Sequence, residues 1–185
     1  MKEIEIIRNL VNHGTPSHIL PSSSLVQCHE YRPHIIFANP IKIPAHIQYA
    51  QSVGVNLYTL DHINEVEKLK QYHPASQFLL RLAVNDQHSL CRLNGKFGHS
   101  LDPVKLTHFF TQYQVLRKQK PIPQITGVAF HVGSGCQDVN SYQQALDNSI
   151  ETIKIAQQFG HQMSIIDIGG GFVSDQNLLP RIGTL

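Results

Sequence analysis

The sequence predicts an α/β protein built on a parallel sheet. Short apolar segments with the composition of buried strands alternate with longer segments of helical periodicity along most of the chain. Glycine, proline or a capping side chain separates these segments at nearly every junction. Such an alternation predicts either an open, doubly wound sheet or a barrel, with helices packed outside the strands.

The N-terminal region is expected to be a helix followed by an irregular segment. Over residues 2–11, isoleucine, leucine and valine recur at helical spacing, and Gly14 would end the helix. The prolines and serines of residues 15–33 indicate a loop. We therefore divide the chain into an N-terminal segment, residues 1–33, and a main domain, residues 34–185.

From residue 34 onward the predicted elements follow one another regularly. Strands are predicted over residues 34–38, 55–59, 77–83, 124–131 and 163–168. The helices between them are expected to begin near Pro44, Asp61, Asp102 and Ser141, where a proline or a capping side chain opens a first turn. A closed barrel of eight strands needs about 250 residues. The 185 residues would therefore form an open sheet or part of a larger barrel.

Composition and charge exclude several classes of protein. The formal charge of +2 is too small to indicate a surface for nucleic acid or anionic lipid. The chain has no apolar run of about 18 residues that would predict a membrane span, and the charged residues after Met1 predict no secretory signal. The wide spacing of Cys28, Cys91 and Cys136 is typical of a reducing compartment. We expect a cytoplasmic protein that binds neither membrane nor nucleic acid.

Two glycine-rich loops follow predicted strands. His131 ends one strand and precedes Gly133, Ser134 and Gly135. Its imidazole could stack on an aromatic cofactor or move a proton. The loop after it could hold an anion, because glycine backbone can approach a ligand closely. The alternative is a strand-end histidine that is hydrogen-bonded to backbone. The triplet Gly169–Gly171 ends the last strand and favours a phosphate-binding nest over a plain turn, since a turn rarely needs three glycines.

Arg81 is a charged residue inside an apolar strand. In a strand that is buried on both faces, this guanidinium requires a partner. A cofactor oxygen would serve, and so would a structural ion pair with Asp61 or Asp167. Both interpretations stay open from the pattern alone.

Metal binding and nucleophilic catalysis have little support in the sequence. The 12 histidines are scattered and form neither a His-Glu-x-x-His pair nor a cluster with cysteines at ligand spacing. Cys136 has no evident base beyond His131, and no Gly-x-Ser-x-Gly elbow occurs. We therefore expect neither a metal site nor a catalytic nucleophile.

The segments Phe130–Cys136 and Ile166–Phe172 together resemble the ornithine decarboxylase family, whose members are pyridoxal-phosphate enzymes of the alanine-racemase-like barrel type. Residues 35–42 and 77–98 resemble further strands and loops of that family, so that the resemblance covers about residues 34–175. It implies a partial (β/α)8 TIM-type barrel with about five or six of the eight parallel strands. The C-terminal β-domain of the family would be absent.

The resemblance also implies a site for pyridoxal 5'-phosphate. By position, His131 would stack on the pyridine ring, and Arg81 would lie near the ring and its substituents. In such enzymes the ring accepts the electron pair that is released when an amino acid loses carbon dioxide. Four residues would help to hold the cofactor phosphate: Ser134, Gly169, Gly170 and Gly171.

Departures from the family pattern are equally specific. The family's cofactor lysine lies on the first strand in a Tyr-Ala-Val-Lys type segment, whereas Lys2 is the one lysine before Ile35 here. The chain stops at Leu185, before the family's eighth strand and its glutamate at the ring nitrogen. Lys42 follows a strand but is not expected to replace the missing lysine. We expect weak or absent cofactor binding and no decarboxylation by the isolated chain.

Two functions of different classes are compatible with the resemblance. The chain would be a fragment of a homodimeric enzyme that converts a small amino acid, ornithine, to putrescine in polyamine biosynthesis. Alternatively, it would be a catalytically inactive binding protein similar to the antizyme inhibitors, with residues 48–71 at the segment that contacts antizyme. A single-domain barrel of the pyridoxal-phosphate homeostasis type is a third interpretation, and it too would need the lysine.

Overall fold

The computed structural model describes residues 5–7, 35–119 and 121–172. Six strands form one parallel sheet in the order β1-β6-β5-β4-β3-β2. The strands are β1 (Glu5–Ile7), β2 (Ile36–Phe37), β3 (Leu57–Leu60), β4 (Gln77–Arg81), β5 (Gln124–Ala129) and β6 (Ile165–Asp167). The helices are α1 (Pro44–Ser52), α2 (Ile63–Tyr72), α3 (Pro103–Arg117) and α4 (Val139–Gln158).

The winding of the sheet is that of a barrel wall. From β3 to β6, each strand pairs with the strand that precedes it in the chain. A doubly wound sheet would instead reverse its strand order at a switch point. The helices follow the same sequence, since α1 contacts α2, α2 contacts α3 and α3 contacts α4. Of the two architectures that the alternation allowed, the described residues therefore adopt the barrel type.

Local sequence signals set the helix starts. Asp102 caps α3, and Pro103 occupies its first turn, as predicted. Pro44 likewise opens α1. The missing N–H of proline costs nothing in a first turn because no intrahelical partner exists there.

Two helices begin close to the predicted positions but with different caps. In α2 the imidazole Nδ1 of His62, rather than Asp61, accepts from the N–H of Asn64. In α4 the cap is Asp138, and the hydroxyl of Ser141 donates to its carboxylate. Asp61 is thereby released for a contact at the carboxyl end of the sheet.

The sheet has one face against the helices and one face away from them. Phe78 and Leu80 of β4 belong to the core that includes the helices, and the Phe78 ring lies edge-on to Tyr113 of α3 at 5.6 Å. Successive side chains of a strand alternate between faces, so Arg81 lies on the other face. The same alternation places three further residues on the face away from the helices: Thr59, Ala129 and Asp167.

The helix that was expected over residues 2–11 is wrong where the structure describes that segment. Glu5–Ile7 form β1, which pairs in parallel with β6, Glu5 opposite Ile165. Isoleucine is β-branched and favours strands, and the edge of β6 offers backbone groups that need partners. Strand pairing therefore outweighs the helical spacing of a short segment. Apart from β1, residues 1–33 lie outside the described part of the chain.

The described residues contain no helix that is long and apolar enough to cross a membrane. Nor do they contain a group of three or more histidine, cysteine or acidic side chains that could hold a metal ion. Two cysteines carry free thiols, Cys91 at the surface and Cys136 in the interior. Cys28 lies outside the described residues.

Candidate functional site

Three loops meet at the carboxyl edge of the sheet, where the predicted site residues lie. The β4 loop (residues 82–102) and the β5 loop (residues 130–138) form a short antiparallel bridge. In this bridge the N–H of Ser134 donates to the carbonyl of Cys91 at 3.0 Å, and the N–H of Cys91 donates back at 3.2 Å. The β6 loop (residues 168–172) contains the glycine triplet. Backbone pairing thus fixes these loops relative to one another.

The glycines of the triplet allow two backbones to touch. Gly169 and Gly171 have φ angles of +64° and +95°. A Cβ on Gly171 would lie 2.0 Å from the carbonyl oxygen of Gly133, and one on Gly169 would lie 2.3 Å from that of Phe130. The N–H of Cys136 donates to the carbonyl of Gly171 at 3.1 Å. Only glycine fits at these two positions.

The imidazole of His131 lies against the glycine triplet. A Cβ on Gly170 would lie 3.3 Å from its Nε2. The N–H of Gly133 donates to Nδ1 at 3.0 Å, so Nε2 carries the proton of the neutral ring. Burial lowers the pKa of His131, the Arg81 guanidinium lowers it further, and the Asp86 carboxylate opposes both. The ring is therefore uncharged near neutral pH and fixed in one tautomer.

Arg81 lies between two carboxylates without pairing closely to either. The register places Arg81 beside Ala129, and Ala129 beside Asp167. Burial lowers the pKa of Arg81, while Asp61 and Asp167 raise it. Among the described residues, no carboxylate forms an ion pair with the guanidinium, which lies over the Phe97 ring at 5.0 Å. The structural ion pair is therefore not formed, and the guanidinium can serve a ligand oxygen.

Two buried carboxylates hold the loops in place. Asp167 Oδ1 accepts from the N–H of Gly169 at 2.9 Å and fixes the start of the triplet. Asp86 Oδ2 accepts from the N–H groups of Leu93 and Asn94 and so folds the β4 loop. Asp86 was missed by the sequence reasoning, although an acidic residue just after a strand is a recognisable signal for this edge of a parallel sheet.

Ser134 occupies the rim of this site. Its side chain is exposed, while its backbone is held in the bridge to the β4 loop. The structure thus brings together Arg81, His131 and the triplet, with Ser134 beside them. Asp61, which accepts from the N–H of Gly98 at 2.8 Å, is a further neighbour of Arg81 that the sequence singled out only as a helix cap and ion-pair candidate.

Lys42 is buried at the turn after β2 and its ammonium group is fully engaged. Its Nζ donates to the carbonyls of Asn39, Pro40 and Thr59 at 3.1, 2.9 and 2.7 Å. Glu65 Oε2 lies 3.5 Å away. Burial lowers the pKa of Lys42 to about 8, an effect that Glu65 opposes. The side chain ties the ends of β2 and β3 together.

Residues 3–179 match the profile of the pyridoxal-dependent decarboxylase family, specifically its pyridoxal binding domain. The chain belongs to this family. The resemblance that the loop motifs indicated is confirmed. Membership of this family explains why the motifs of the β5 and β6 loops occur together in one chain.

Curated relatives and solved structures extend this match. The chain is 39% identical over 142 residues to an ornithine decarboxylase of Schizosaccharomyces pombe, covering 76% of this chain and 31% of that protein. It is 38% identical over 139 residues to antizyme inhibitor 2 of Xenopus laevis, covering 75% and 29%. The structure superposes on arginine decarboxylase of Paramecium bursaria Chlorella virus, solved with agmatine, with a TM-score of 0.75 and 30% identity, covering 83% of this chain and 41% of that one.

These matches confirm the predicted fold class, a part of a TIM-type barrel. The chain spans about a third of the length of the curated relatives that it matches. The parallel wall from β2 to β6, extended by β1, is what the described residues contribute to such a barrel.

Proposed function

We propose that this chain is part of a pyridoxal-phosphate-dependent amino-acid decarboxylase and that it holds the cofactor where the three loops meet. One observation carries the proposal. The flat, uncharged ring of His131 lies against a backbone that has no side chains, Gly169–Gly171, at the carboxyl edge of parallel strands. This edge is where barrel proteins bind their ligands.

The residues present fit this cofactor. Glycine backbone that turns sharply after a strand favours a phosphate, because N–H groups can approach it closely. The β6 loop would supply the N–H groups of Gly170 and Gly171 for this purpose, while Gly169, whose N–H donates to Asp167, would allow the turn. Ser134 would add a hydroxyl from the rim. His131 would stack on the pyridine ring, and Arg81 would offer its charge to an oxygen. When bound, pyridoxal phosphate supplies the electron sink for loss of carbon dioxide.

The chain's own groups would orient and insulate the cofactor. Because Nδ1 of His131 is occupied by the Gly133 N–H, the ring cannot rotate without losing that hydrogen bond. Its lowered pKa keeps a positive charge away from the stacked face. Asp167 would position the phosphate loop through Gly169 rather than act on the substrate.

The proposed substrate of the whole protein is ornithine, with putrescine as the product of a step in polyamine synthesis. This follows from the ornithine decarboxylase relatives. We further propose a cytoplasmic enzyme that acts as a homodimer.

The isolated chain is proposed to be inactive. Among the described lysines, Lys42 lies nearest in the chain to the end of a strand of the barrel wall, and its ammonium group already serves three carbonyls. A decarboxylase of this type needs a free lysine to hold its cofactor. Without one, the cofactor would be held by stacking and phosphate contacts alone.

Carbon dioxide release and cofactor trapping test this proposal together. The purified chain is mixed with pyridoxal phosphate and carboxyl-labelled ornithine, and a second sample is reduced with borohydride and mapped by peptide mass spectrometry. We expect no release of labelled carbon dioxide and no cofactor on Lys42. Turnover, or reductive labelling of Lys42 above the level at exposed Lys118, would contradict the proposed inactivity.

A binding protein similar to the antizyme inhibitors is the second candidate. Antizyme inhibitor 2 matches the chain almost as well as the decarboxylases do. Large apolar side chains are also exposed at Ile41 and Ile43, in the turn before α1, and at Tyr49 in α1. Capture of purified antizyme would support it, provided that Ile43→Ser weakens capture and that Leu90→Ser, at a still more exposed apolar residue elsewhere, does not.

A further inference from the structure

A cavity lies at the amino end of the sheet, opposite the three loops. Its volume is about 700 Å³, within the range of about 300 to 1,000 Å³ that ligand pockets have. The walls come from the residues before β4, the end of α3, the start of β5 and the turn after α4. Because β5 runs from this cavity to the loop of His131, roughly 20 Å separates the two places.

His161, in the turn after α4, lines this cavity with an unused nitrogen. The residue is only 5% exposed, and its ring packs on Phe110 and Tyr113 with centroids 5.8 and 5.1 Å away. Its backbone N–H donates to Ala156, but Nε2 has no hydrogen-bond partner within the described part of the chain. A buried polar nitrogen without a partner destabilises the folded state. Nε2 itself has almost no exposed surface, so a ligand in the neighbouring cavity reaches it when the ring turns toward the cavity.

The charge of the cavity wall selects an anion. Among the described lining residues, Arg117 is the one with a permanent charge, and no carboxylate lines the cavity. Arg117 is exposed and forms no ion pair with a described residue. Pro74, Ile122 and Ile125 add apolar patches to a wall that is otherwise mostly polar. A matching ligand therefore combines a negative charge with an apolar body.

We propose that this cavity binds a small organic carboxylate. Its charged end would lie between the Arg117 guanidinium and an Nε2–H of His161, and its apolar body would lie on Ile122 and Ile125. Burial lowers the pKa of His161 to about 4, and Arg117 lowers it further, so His161 would donate as a neutral ring near pH 7. The proposal is independent of the cofactor site and of decarboxylation.

Benzoate is the probe for this site, and uncharged benzamide is its matched control. The complete chain, labelled with nitrogen-15, is titrated with each compound while the imidazole and backbone signals of His161 are followed. We expect saturable shifts with benzoate, an Nε2-protonated tautomer in the complex, and binding of benzamide at least about tenfold weaker because it lacks the charge. Equal binding of benzamide, no saturation, or an unprotonated Nε2 in the complex would overturn the proposal.

Charge-removing variants locate the site. Arg117→Gln is expected to weaken benzoate about tenfold, whereas Lys118→Gln removes the same charge from the next, non-lining residue and should leave the affinity unchanged. His161→Phe keeps an aromatic ring on Phe110 and Tyr113 but removes the donor, so it should also weaken benzoate. Equal effects of the two charge-removing variants would show a general attraction of anions and would contradict a built site.

Discussion

The two ends of the sheet each carry a histidine with an arginine nearby, half-buried at the carboxyl edge and buried at the amino end, and the surroundings of the two rings differ. At the carboxyl edge, His131 accepts from the Gly133 N–H and lies against glycine backbone. At the amino end, His161 packs on aromatic rings, and its Nε2 faces no partner among the described residues. In both cases burial, reinforced by the arginine, lowers the pKa of the ring.

The site at the carboxyl edge is formed mainly by backbone, whereas the site at the amino end is formed mainly by side chains. At the carboxyl edge, the loops touch where a single Cβ would collide with a carbonyl, so geometry is fixed by glycine. At the amino end, a cavity remains and the turn glycine, Gly160, has open space around it. The first end should tolerate almost no substitution, whereas the second should tolerate substitution and respond to ligand.

A matched pair of glycine substitutions gives the largest expected difference between the two ends. Gly171→Ala places a Cβ 2.0 Å from the Gly133 carbonyl oxygen at a φ of +95°, which should cost about 3 kcal/mol or more. Gly160→Ala has a φ of +75° but no atom within 4 Å, so only the left-handed backbone is penalised, by about 1 kcal/mol. Urea unfolding of both variants measures the free energies. Equal losses would remove the distinction between the ends.

The pH dependence of stability should report the amino-end histidine. The folded pKa of His161 is about 4, below its ordinary value of 6.5. Between these values the unfolded chain binds more protons than the folded chain, so stability falls as the pH drops from about 6.5 toward 4, by roughly 2 to 3 kcal/mol for this one group.

His161→Phe isolates that contribution because it keeps the aromatic packing and removes the titrating nitrogen. We expect the variant to lose less stability than the parent between about pH 7 and about pH 4.5, as measured by urea unfolding at each pH. An unchanged difference between the two pH values would show that other groups cause the acid sensitivity.

Replacing each arginine by glutamine gives the smallest effect. These two variants test how much each guanidinium lowers the pKa of the histidine near it. Arg81→Gln should raise the pKa of His131, and Arg117→Gln should raise that of His161, since each guanidinium disfavours a second positive charge nearby. Nuclear magnetic resonance titration of the ring signals measures both values. Each variant should leave the histidine at the opposite end unaffected, and a cross-effect would contradict the separation of the ends.

The sequence predicted much of the barrel wall and little of the amino end. Strands β2 to β6, the Asp102 cap with Pro103 in the first turn of α3, and the two glycine loops are readable because apolar runs and turn residues mark them locally. β1 was assigned as a helix because its pairing with β6 depends on residues far along the chain. The cavity beside His161 depends in the same way on packing among separate segments.

At the carboxyl edge, the sequence identified residue types but not their contacts. It indicated Arg81, His131 and the glycine triplet, and the structure brings them together. It left open an ion pair for Arg81 that does not form with any described carboxylate. It did not indicate Asp86, whose carboxylate folds the β4 loop through backbone N–H groups.

Amide mapping of cofactor binding would show where on the chain the cofactor lies. The nitrogen-15-labelled chain is titrated with pyridoxal phosphate, and the His131→Ala variant is titrated in parallel. We expect saturable shifts at Gly169, Gly170 and Gly171 and in the β5 loop, none at Gly160, and weaker binding to His131→Ala. Shifts confined to exposed lysines, or equal affinity of the parent and His131→Ala, would contradict the placement of the cofactor between this ring and the glycine triplet.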